Sequence, residues 1–264
     1  MSRIGDRFRL LRARGEKALI PFVTAGDPDL ATTEALLPAL ALAGADLIEL
    51  GVPFSDPMAE GPTIQRASER ALRAGASLRK VLQLVGRLRS RVDVPIVLMG
   101  YANNLFAMGE EEFAAAASEV GVDGLIVLDL PPEEGEDFHD ALRARGIDPI
   151  LLAAPTTQPA RLEMLAKRTA GFLYFVSVTG TTGARQEISQ TIEKEVRAVR
   201  AVSDVPVCVG FGVSTPEQAA RIAAFADGVV VGSALVDRIE RAASPDAAVE
   251  AAAAFVEELK RPLR

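Results

Sequence analysis

The amino-acid sequence predicts an α/β fold, a (β/α)8 TIM barrel with an extra N-terminal helix, as one domain over residues 1–264. Short apolar runs recur eight times, and each is followed by a longer stretch with apolar residues at helical spacing. The runs are nearly continuous in Val, Ile and Leu, which is typical of parallel strands covered on both faces. Eight such units without a linker close most simply into a barrel, and an open doubly wound sheet is the alternative.

The strands and helices follow from the same patterns. The predicted strands are Ala18–Thr24, Asp46–Gly51, Val94–Gly100, Val122–Asp129, Asp148–Ala153, Phe172–Val178, Val205–Phe211 and Asp227–Gly232. Predicted helices include Asp29–Ala43, Leu78–Arg91, Glu111–Val120, Pro216–Ala224 and Ala247–Leu259. Ile4, Phe8 and Leu11 share one helical face in the segment before the first strand, so we expect this extra helix to plug the bottom of the barrel.

Composition excludes several classes of protein. A length of 264 residues with 49% hydrophobic content is enough to bury a large core, and a net charge of -7 disfavours nucleic acid or an anionic membrane as a partner. Cys208 and His139 are the only residues of their types, so we expect neither a disulfide framework nor a metal site. The segment Met1–Gly15 is charged throughout, which predicts a cytoplasmic protein.

Glycines after the last two predicted strands indicate a phosphate site. The seventh run ends in Gly210-Phe211-Gly212, and the eighth ends in Gly232-Ser233 before a helical stretch. Glycine lets the backbone approach a ligand, and amides at a helix start favour an anion. Tight turns are the alternative, but barrel phosphate sites recur after strands seven and eight. The loop Thr179–Arg185 is either a lid over the substrate or a plain surface loop.

Glu49 interrupts the apolar second strand near its carboxyl end. A carboxylate there destabilises the fold unless it is paired or does chemistry, and burial would raise its pKa towards the range of a general acid or base. A paired structural carboxylate is the alternative. Glu60 follows in the next loop and can present a second carboxylate to the same cavity, whereas Asp56 is expected to stabilise the loop or to contact a partner.

Elimination narrows the chemistry further. The sequence has no dinucleotide fingerprint and no Walker loop, and its lysines lie away from the carboxyl ends of the strands, which argues against a Schiff base. Cofactor-free acid/base chemistry on a phosphorylated compound remains, either isomerisation or carbon–carbon cleavage of the retro-aldol kind.

The residues in this order resemble the tryptophan synthase alpha chain family over essentially the whole length. The segments that carry the resemblance are Pro21–Pro28, Glu49–Pro57, Gly61–Gln65, Leu98–Tyr101, Asp129–Pro131, Ser177–Gly180, Gly210–Val213 and Val231–Ala234. The resemblance implies a lyase that cleaves indole-3-glycerol phosphate to indole and glyceraldehyde 3-phosphate in tryptophan biosynthesis. It also implies no cofactor in this chain, with pyridoxal phosphate only in a beta chain partner in an α2β2 assembly.

The resemblance further assigns roles to individual residues. Glu49 and Glu60 match the catalytic positions, and Glu60 stands where the family usually has an aspartate. The matched substrate-binding positions are Phe22, Tyr101, Ile126, Tyr174, Thr182, Gly183, Phe211, Gly212, Gly232 and Ser233. The loop Pro53–Asp56 and the turn Leu130–Pro132 are expected to face the beta chain.

Two other functions stay open on the sequence alone. Because Glu60 replaces the aspartate, the chain could be a weakly active barrel that serves mainly as an allosteric partner of the beta chain. It could also be another phosphate-binding barrel enzyme, such as an isomerase, although a second strand-end base outside the Glu49 loop is missing.

Overall fold

The barrel strands are short and parallel. The computed structural model describes residues 2–176, 185–210 and 212–264, with only the backbone described for 185–191. Its strands within these ranges are β1 Ala18–Thr24, β2 Ile48–Gly51, β3 Ile96–Gly100, β4 Gly124–Val127, β5 Asp148–Pro149, β6 Leu152–Ala153, β7 Leu173–Val176, β8 Val207–Gly210 and β9 Gly228–Val231.

The sheet closes on itself at the fifth predicted strand. The strand order is β5-β4-β3-β2-β1-β9-β8-β7-β6, and β5 and β6 are two pieces of one predicted strand. Between them, the amide of Ile150 donates to the carbonyl of Leu125 at 2.9 Å, while the amide of Tyr174 donates to the carbonyl of Leu151 at 3.0 Å. The segment therefore pairs with β4 in its first half and with β7 in its second half. This change of partner divides the fifth predicted strand into two short strands. The barrel prediction is confirmed, and the open sheet is not.

Helices alternate with the strands and surround them. Their bounds are α1 Arg3–Arg14, α2 Leu30–Leu42, α3 Pro62–Arg73, α4 Leu78–Leu88, α5 Ala102–Phe106, α6 Glu110–Glu119, α7 Glu136–Ala144, α8 Pro159–Arg168, α9 Arg185–Val202, α10 Pro216–Ala223, α11 Ser233–Arg241 and α12 Pro245–Lys260. A 3₁₀ turn over Arg261–Leu263 follows. Side-chain caps fix several of the starts; for example, Asp29 accepts from the amide of Thr32 at 2.7 Å, and Thr215 accepts from that of Gln218 at 3.3 Å.

The helix α1 covers the amino-terminal end of the barrel, as the sequence predicts. Ile4, Phe8 and Leu11 are buried in one cluster with interior side chains of the barrel such as Phe172. Arg7 also forms an ion pair at 3.3 Å with Asp46, which lies just before β2. Because this end is plugged, the open cavity lies at the carboxyl ends of the strands. No helix in the described part of the chain is long and apolar enough to span a bilayer.

Candidate active site

Glu49 points into the barrel interior from β2. Its register partners are Phe22 on β1 and Val97 on β3, and both of these belong to the interior cluster. Its chain neighbours Ile48 and Leu50 belong instead to the cluster between the sheet and the helices. Alternation along a strand therefore aims the carboxylate inwards, where the residue is only 1% exposed.

The Glu49 carboxyl group is buried among apolar side chains of the barrel interior. Neither of its oxygens has a hydrogen-bond partner among the described residues. Burial, and then the negative charge of Glu60, raise the pKa of Glu49 to about 8. The side chain is therefore largely protonated at neutral pH and can act as a general acid, so the pKa prediction is confirmed.

Glu60 lies in the loop between β2 and α3, and its backbone is held from two sides. The Gln65 side-chain amide donates to the Glu60 carbonyl at 2.9 Å, and the amide of neighbouring Ala59 donates to the Tyr101 hydroxyl at 3.0 Å. Burial raises the pKa of Glu60 to about 7. Its charge acts on Glu49, which indicates that the two carboxylates are close in space.

Four of the expected substrate-binding side chains surround this pair. Phe22 is buried beside Glu49, and its ring packs on Gly51, where a β-carbon would lie 2.6 Å from the Phe22 Cζ atom. Ile126 is fully buried in the interior cluster, and Tyr174 packs against that cluster. Burial and the nearby Glu49 raise the pKa of the Tyr174 phenol.

Tyr101 is the fourth of these side chains, and it also supports the Glu60 loop. The residue is buried, and its ring stacks on Phe54 with the centroids 5.0 Å apart. Together with the hydrogen bond to Ala59, this stacking attaches both halves of the loop to the end of β3.

Gly232 and Ser233 lie on the same side of the cavity as Phe22. Gly232 directly precedes α11, which begins at Ser233, and the first amides of a helix lack partners within it. A β-carbon on Gly232 would lie 3.6 Å from the Phe22 Cβ and 3.7 Å from the Ile64 Cδ1. The Phe22 side chain therefore lies between the start of α11 and Glu49.

The other expected phosphate residues are only partly described. Gly212 has a φ of +55°, which favours glycine, and among the described residues a β-carbon there would meet nothing within 4 Å. A glycine at this position lets the backbone approach an anion closely. Thr182, Gly183 and Phe211, and with them most of the Thr179–Arg185 loop, lie outside the described residues.

Three residues of α3 that contact the site were assigned no role in the sequence analysis. Gln65 and Ile64 lie in the first turn of α3, and Arg70 lies two turns further on. Ile64 and Gln65 do lie in the segment Gly61–Gln65 that carries the family resemblance, and Gln65 follows Gly61 by four residues, close enough for its side chain to fold back on the preceding loop. In the described part of the chain, no three His, Cys, Asp or Glu side chains group to hold a metal ion.

A second group of loop residues lies on the outside of the site. Asp56 is exposed and accepts a hydrogen bond from Ser55 at 2.6 Å, and Met58 is 87% exposed. The Asn104 side chain donates to the carbonyl of Pro53 at 3.0 Å, which joins this loop to the start of α5. Asp56 is thus outside the cavity, as expected of a residue without a catalytic role.

Comparison with known proteins identifies the family. The family model for the tryptophan synthase alpha chain matches residues 8–264. A tryptophan synthase alpha chain from Geobacter sulfurreducens is 53% identical over 263 residues, covering 100% of this chain and 99% of the relative. One from Geobacter sp. (strain M21) is 57% identical over 241 residues, covering 91% and 90%.

Solved structures agree over the full length. The crystal structure of tryptophan synthase subunit alpha from Legionella pneumophila str. Paris aligns with a TM-score of 0.90 at 39% identity, covering 100% of this chain and 98% of that chain. A chain of tryptophan synthase from M. tuberculosis aligns with a TM-score of 0.90 at 38% identity, covering 100% of both. With the family model matched over residues 8–264 and relatives at 53% and 57% identity, the chain belongs to the tryptophan synthase alpha chain family.

Proposed function

We propose that this chain cleaves indole-3-glycerol phosphate with two carboxylates, Glu49 and Glu60, and without a cofactor of its own. Cleavage of this substrate is the activity of the family, so the chain is a carbon–carbon lyase of tryptophan biosynthesis. The observation that carries the residue assignment is the Glu49 carboxyl, which is buried beside Glu60, has a pKa of about 8 and has no hydrogen-bond partner among the described residues.

The first step is a proton transfer to the indole ring. Protonated Glu49 donates its proton to the indole C3 carbon, and the positive charge that develops on the ring is shared by the N–H group. The ionised Glu60 carboxylate accepts a hydrogen bond from that N–H and stabilises the charge. A pKa of about 7 at Glu60, below that of Glu49, supports this division of roles.

The second step breaks the carbon–carbon bond. Glu49, now ionised, removes the proton from the hydroxyl on the side-chain carbon attached to C3. The oxygen electrons form the aldehyde of glyceraldehyde 3-phosphate, and the electrons of the broken bond return to the ring and neutralise its charge. Glu49 ends protonated, as it began, so no oxidant or reductant is needed.

We assign the two ends of the substrate to the two halves of the cavity. Phe22, Tyr101, Ile126 and Tyr174 contact the indole and glycerol parts, and the apolar surroundings of Glu49 support this assignment. Gly212, Gly232 and Ser233 bind the phosphate through backbone amides. Thr182, Gly183 and Phe211 are assigned to the lid and the substrate pocket from their positions in the family pattern alone.

The family pairs with a beta chain, and we propose an α2β2 assembly in which pyridoxal phosphate binds only in the beta chain. The proposed contact surfaces are the loop Pro53–Asp56, which is exposed at Ser55 and Asp56, together with the exposed Met58, and the turn Leu130–Pro132. We also propose that residues 1–264 act as one domain and that the protein is cytoplasmic, in keeping with a biosynthetic enzyme.

The test is the release of indole from indole-3-glycerol phosphate by the purified chain, with and without a beta chain. We expect indole release under both conditions. The weakly active allosteric partner is not favoured, because the Glu60 carboxylate interacts with Glu49 despite its extra methylene. No indole release in either condition, together with a faster beta-chain reaction, would reverse that preference.

A further inference from the structure

Arg70 joins three elements at the mouth of the barrel. Its guanidinium, on α3, donates to both carboxylate oxygens of Asp27, with Nε–Oδ1 at 2.7 Å and Nη2–Oδ2 at 2.9 Å. Nη1 of the same group donates to Glu240 on α11 at 2.7 Å. Asp27 lies just after β1 and is 2% exposed, so one cation connects the β1 exit, α3 and α11.

The helix that carries Arg70 also holds Glu60. Gln65, near the start of α3, donates to the carbonyl of Glu60 at 2.9 Å and to that of Pro57 at 3.4 Å. A movement of α3 therefore moves the backbone of the Glu60 loop with it.

The same helix contacts the phosphate end of the cavity. The Cδ1 atom of Ile64 on α3 lies 3.7 Å from the position of a β-carbon on Gly232. Glu240 lies on α11, the helix whose start at Ser233 is assigned to the phosphate. Arg70 thus fixes α3 to the helix that binds one end of the substrate, while Gln65 fixes α3 to the backbone of Glu60, whose carboxylate acts on the other end.

We propose that Arg70 is a positioning residue, which holds α3 against Asp27 and α11 so that the Glu60 carboxylate stays at the correct distance from the phosphate amides. This inference rests on the proposed function. A substrate bound by its phosphate has its indole N–H in a fixed place, so Glu60 must be fixed on the same frame. A displacement of about one ångström at such a carboxylate lowers the rate on the order of a hundredfold.

Arg66 provides a matched control on the same helix. Its guanidinium forms two hydrogen bonds to Glu240, at 2.9 and 2.8 Å, but no bond to Asp27 is found, and its side chain is 48% exposed. An exposed ion pair of this kind contributes little to the stability of a fold. Arg66→Met removes a cation of the same type from the same network without releasing the β1 exit.

The experiment compares Arg70→Met and Arg66→Met in the full chain. For Arg70→Met we expect kcat for indole release to fall about tenfold to a hundredfold, with a smaller change in KM. For Arg66→Met we expect kcat to stay within about twofold, because its ion pair is exposed. The inference would be overturned if both variants lost kcat in proportion to the fall in their melting temperatures. A general loss of stability would then explain both effects.

A second measurement does not depend on activity. The titration of the Glu60 carboxyl, followed by ¹³C NMR and assigned with Glu60→Gln, reports how deeply the loop is buried. We expect the pKa of Glu60 to fall from about 7 towards ordinary values in Arg70→Met, because the loop becomes less buried. In Arg66→Met we expect the pKa of Glu60 to remain at about 7. An unchanged titration in Arg70→Met, with kcat near wild type, would overturn the inference. If the wild-type chain released no indole, the proposed function would fail while this titration still tested the positioning.

Two further variants cover a failure of Arg70→Met to fold. Asp27→Asn keeps an acceptor for Arg70 at nearly constant volume but removes one charge, and we expect the same direction of change in kcat and in the Glu60 titration, at smaller size. Arg70→Lys places a single ammonium group at this position, which cannot form the paired bonds to Asp27 and also reach Glu240 in the same geometry. We therefore expect its kcat and its Glu60 titration to lie between those of the wild type and those of Arg70→Met. Wild-type kcat and Glu60 titration in both variants would rule out the positioning role.

Discussion

The ring of Tyr174 on β7 lies directly against the backbone of Gly210 on β8. A β-carbon at position 210 would lie 2.6 Å from the Tyr174 hydroxyl oxygen and 2.9 Å from Cε2. Real β-carbons do not approach other atoms this closely, so only glycine lets the ring occupy this place. In this position the Tyr174 side chain is close enough to Glu49 for the negative charge of the carboxylate to raise the pKa of the phenol.

We therefore predict that Gly210→Ala displaces the Tyr174 ring and lowers kcat/KM for indole release about tenfold or more, because the substrate pocket changes shape. Steady-state assays of the single and double variants with Tyr174→Phe check this. Since the hydroxyl is the nearest atom, the two losses should be less than additive. Additive losses would mean that the methyl group acts elsewhere.

Glu49→Gln tests the central acid. The substitution removes the ionisable group at nearly constant volume, so we predict that indole release falls to background while the circular dichroism spectrum stays unchanged. Glu49 makes no hydrogen bond with the described residues, so the amide breaks no such contact. Measurable turnover would show that another group donates the proton to C3.

The pH dependence of kcat/KM follows from the two carboxyl groups. The reactive state needs Glu49 protonated and Glu60 ionised, and their pKa values are about 8 and about 7. Activity should fall below pH of about 7 as Glu60 gains its proton, and above pH of about 8 as Glu49 loses its own. A narrow bell between these limits is the expected profile. A rate that rises continuously to pH 9 would contradict the role of Glu49 as the acid.

Glu60→Asp restores the side chain that the family pattern usually has at this position. We predict a faster kcat, because the shorter carboxylate removes a displacement of the order of an ångström from the indole N–H. The same assay measures it, with Glu60→Gln as the inactive reference. A slower variant would show that the loop held by Gln65 and Tyr101 has adapted to the longer side chain.

Those parts of the site that depend on a single strand or helix could be predicted from the sequence. Glu49 can be predicted because it places a charge in an apolar run, and alternation along β2 then determines the direction of its side chain. The position of α1 at the barrel end can be predicted because Ile4, Phe8 and Leu11 recur at helical spacing.

The parts that depend on contacts between distant segments could not be predicted in this way. The switch of the Asp148–Ala153 segment from β4 to β7 leaves no mark in a short apolar run. Arg70 has the sequence signature of an ordinary basic residue at the end of a helix. Its function becomes visible only when Asp27 and Glu240, which are 43 and 170 positions away, lie next to it.

The stability of the fold should also depend on pH through Glu49. In the folded chain its pKa is raised to about 8 from an ordinary value of 4.5, so the folded state holds a proton that the unfolded state releases. The free energy of unfolding contributed by this group is therefore fully present below pH 4.5 and is lost as the pH rises to about 8.

Glu49→Gln carries no such charge, so we predict that its melting temperature exceeds that of the wild type at pH 9 and matches it at pH 4 to within a few degrees. Thermal unfolding by circular dichroism across this range measures the difference. A constant offset between the two chains at all pH values would show that the pKa of Glu49 is the same in the folded and unfolded states, because only a difference between these two pKa values makes the offset depend on pH.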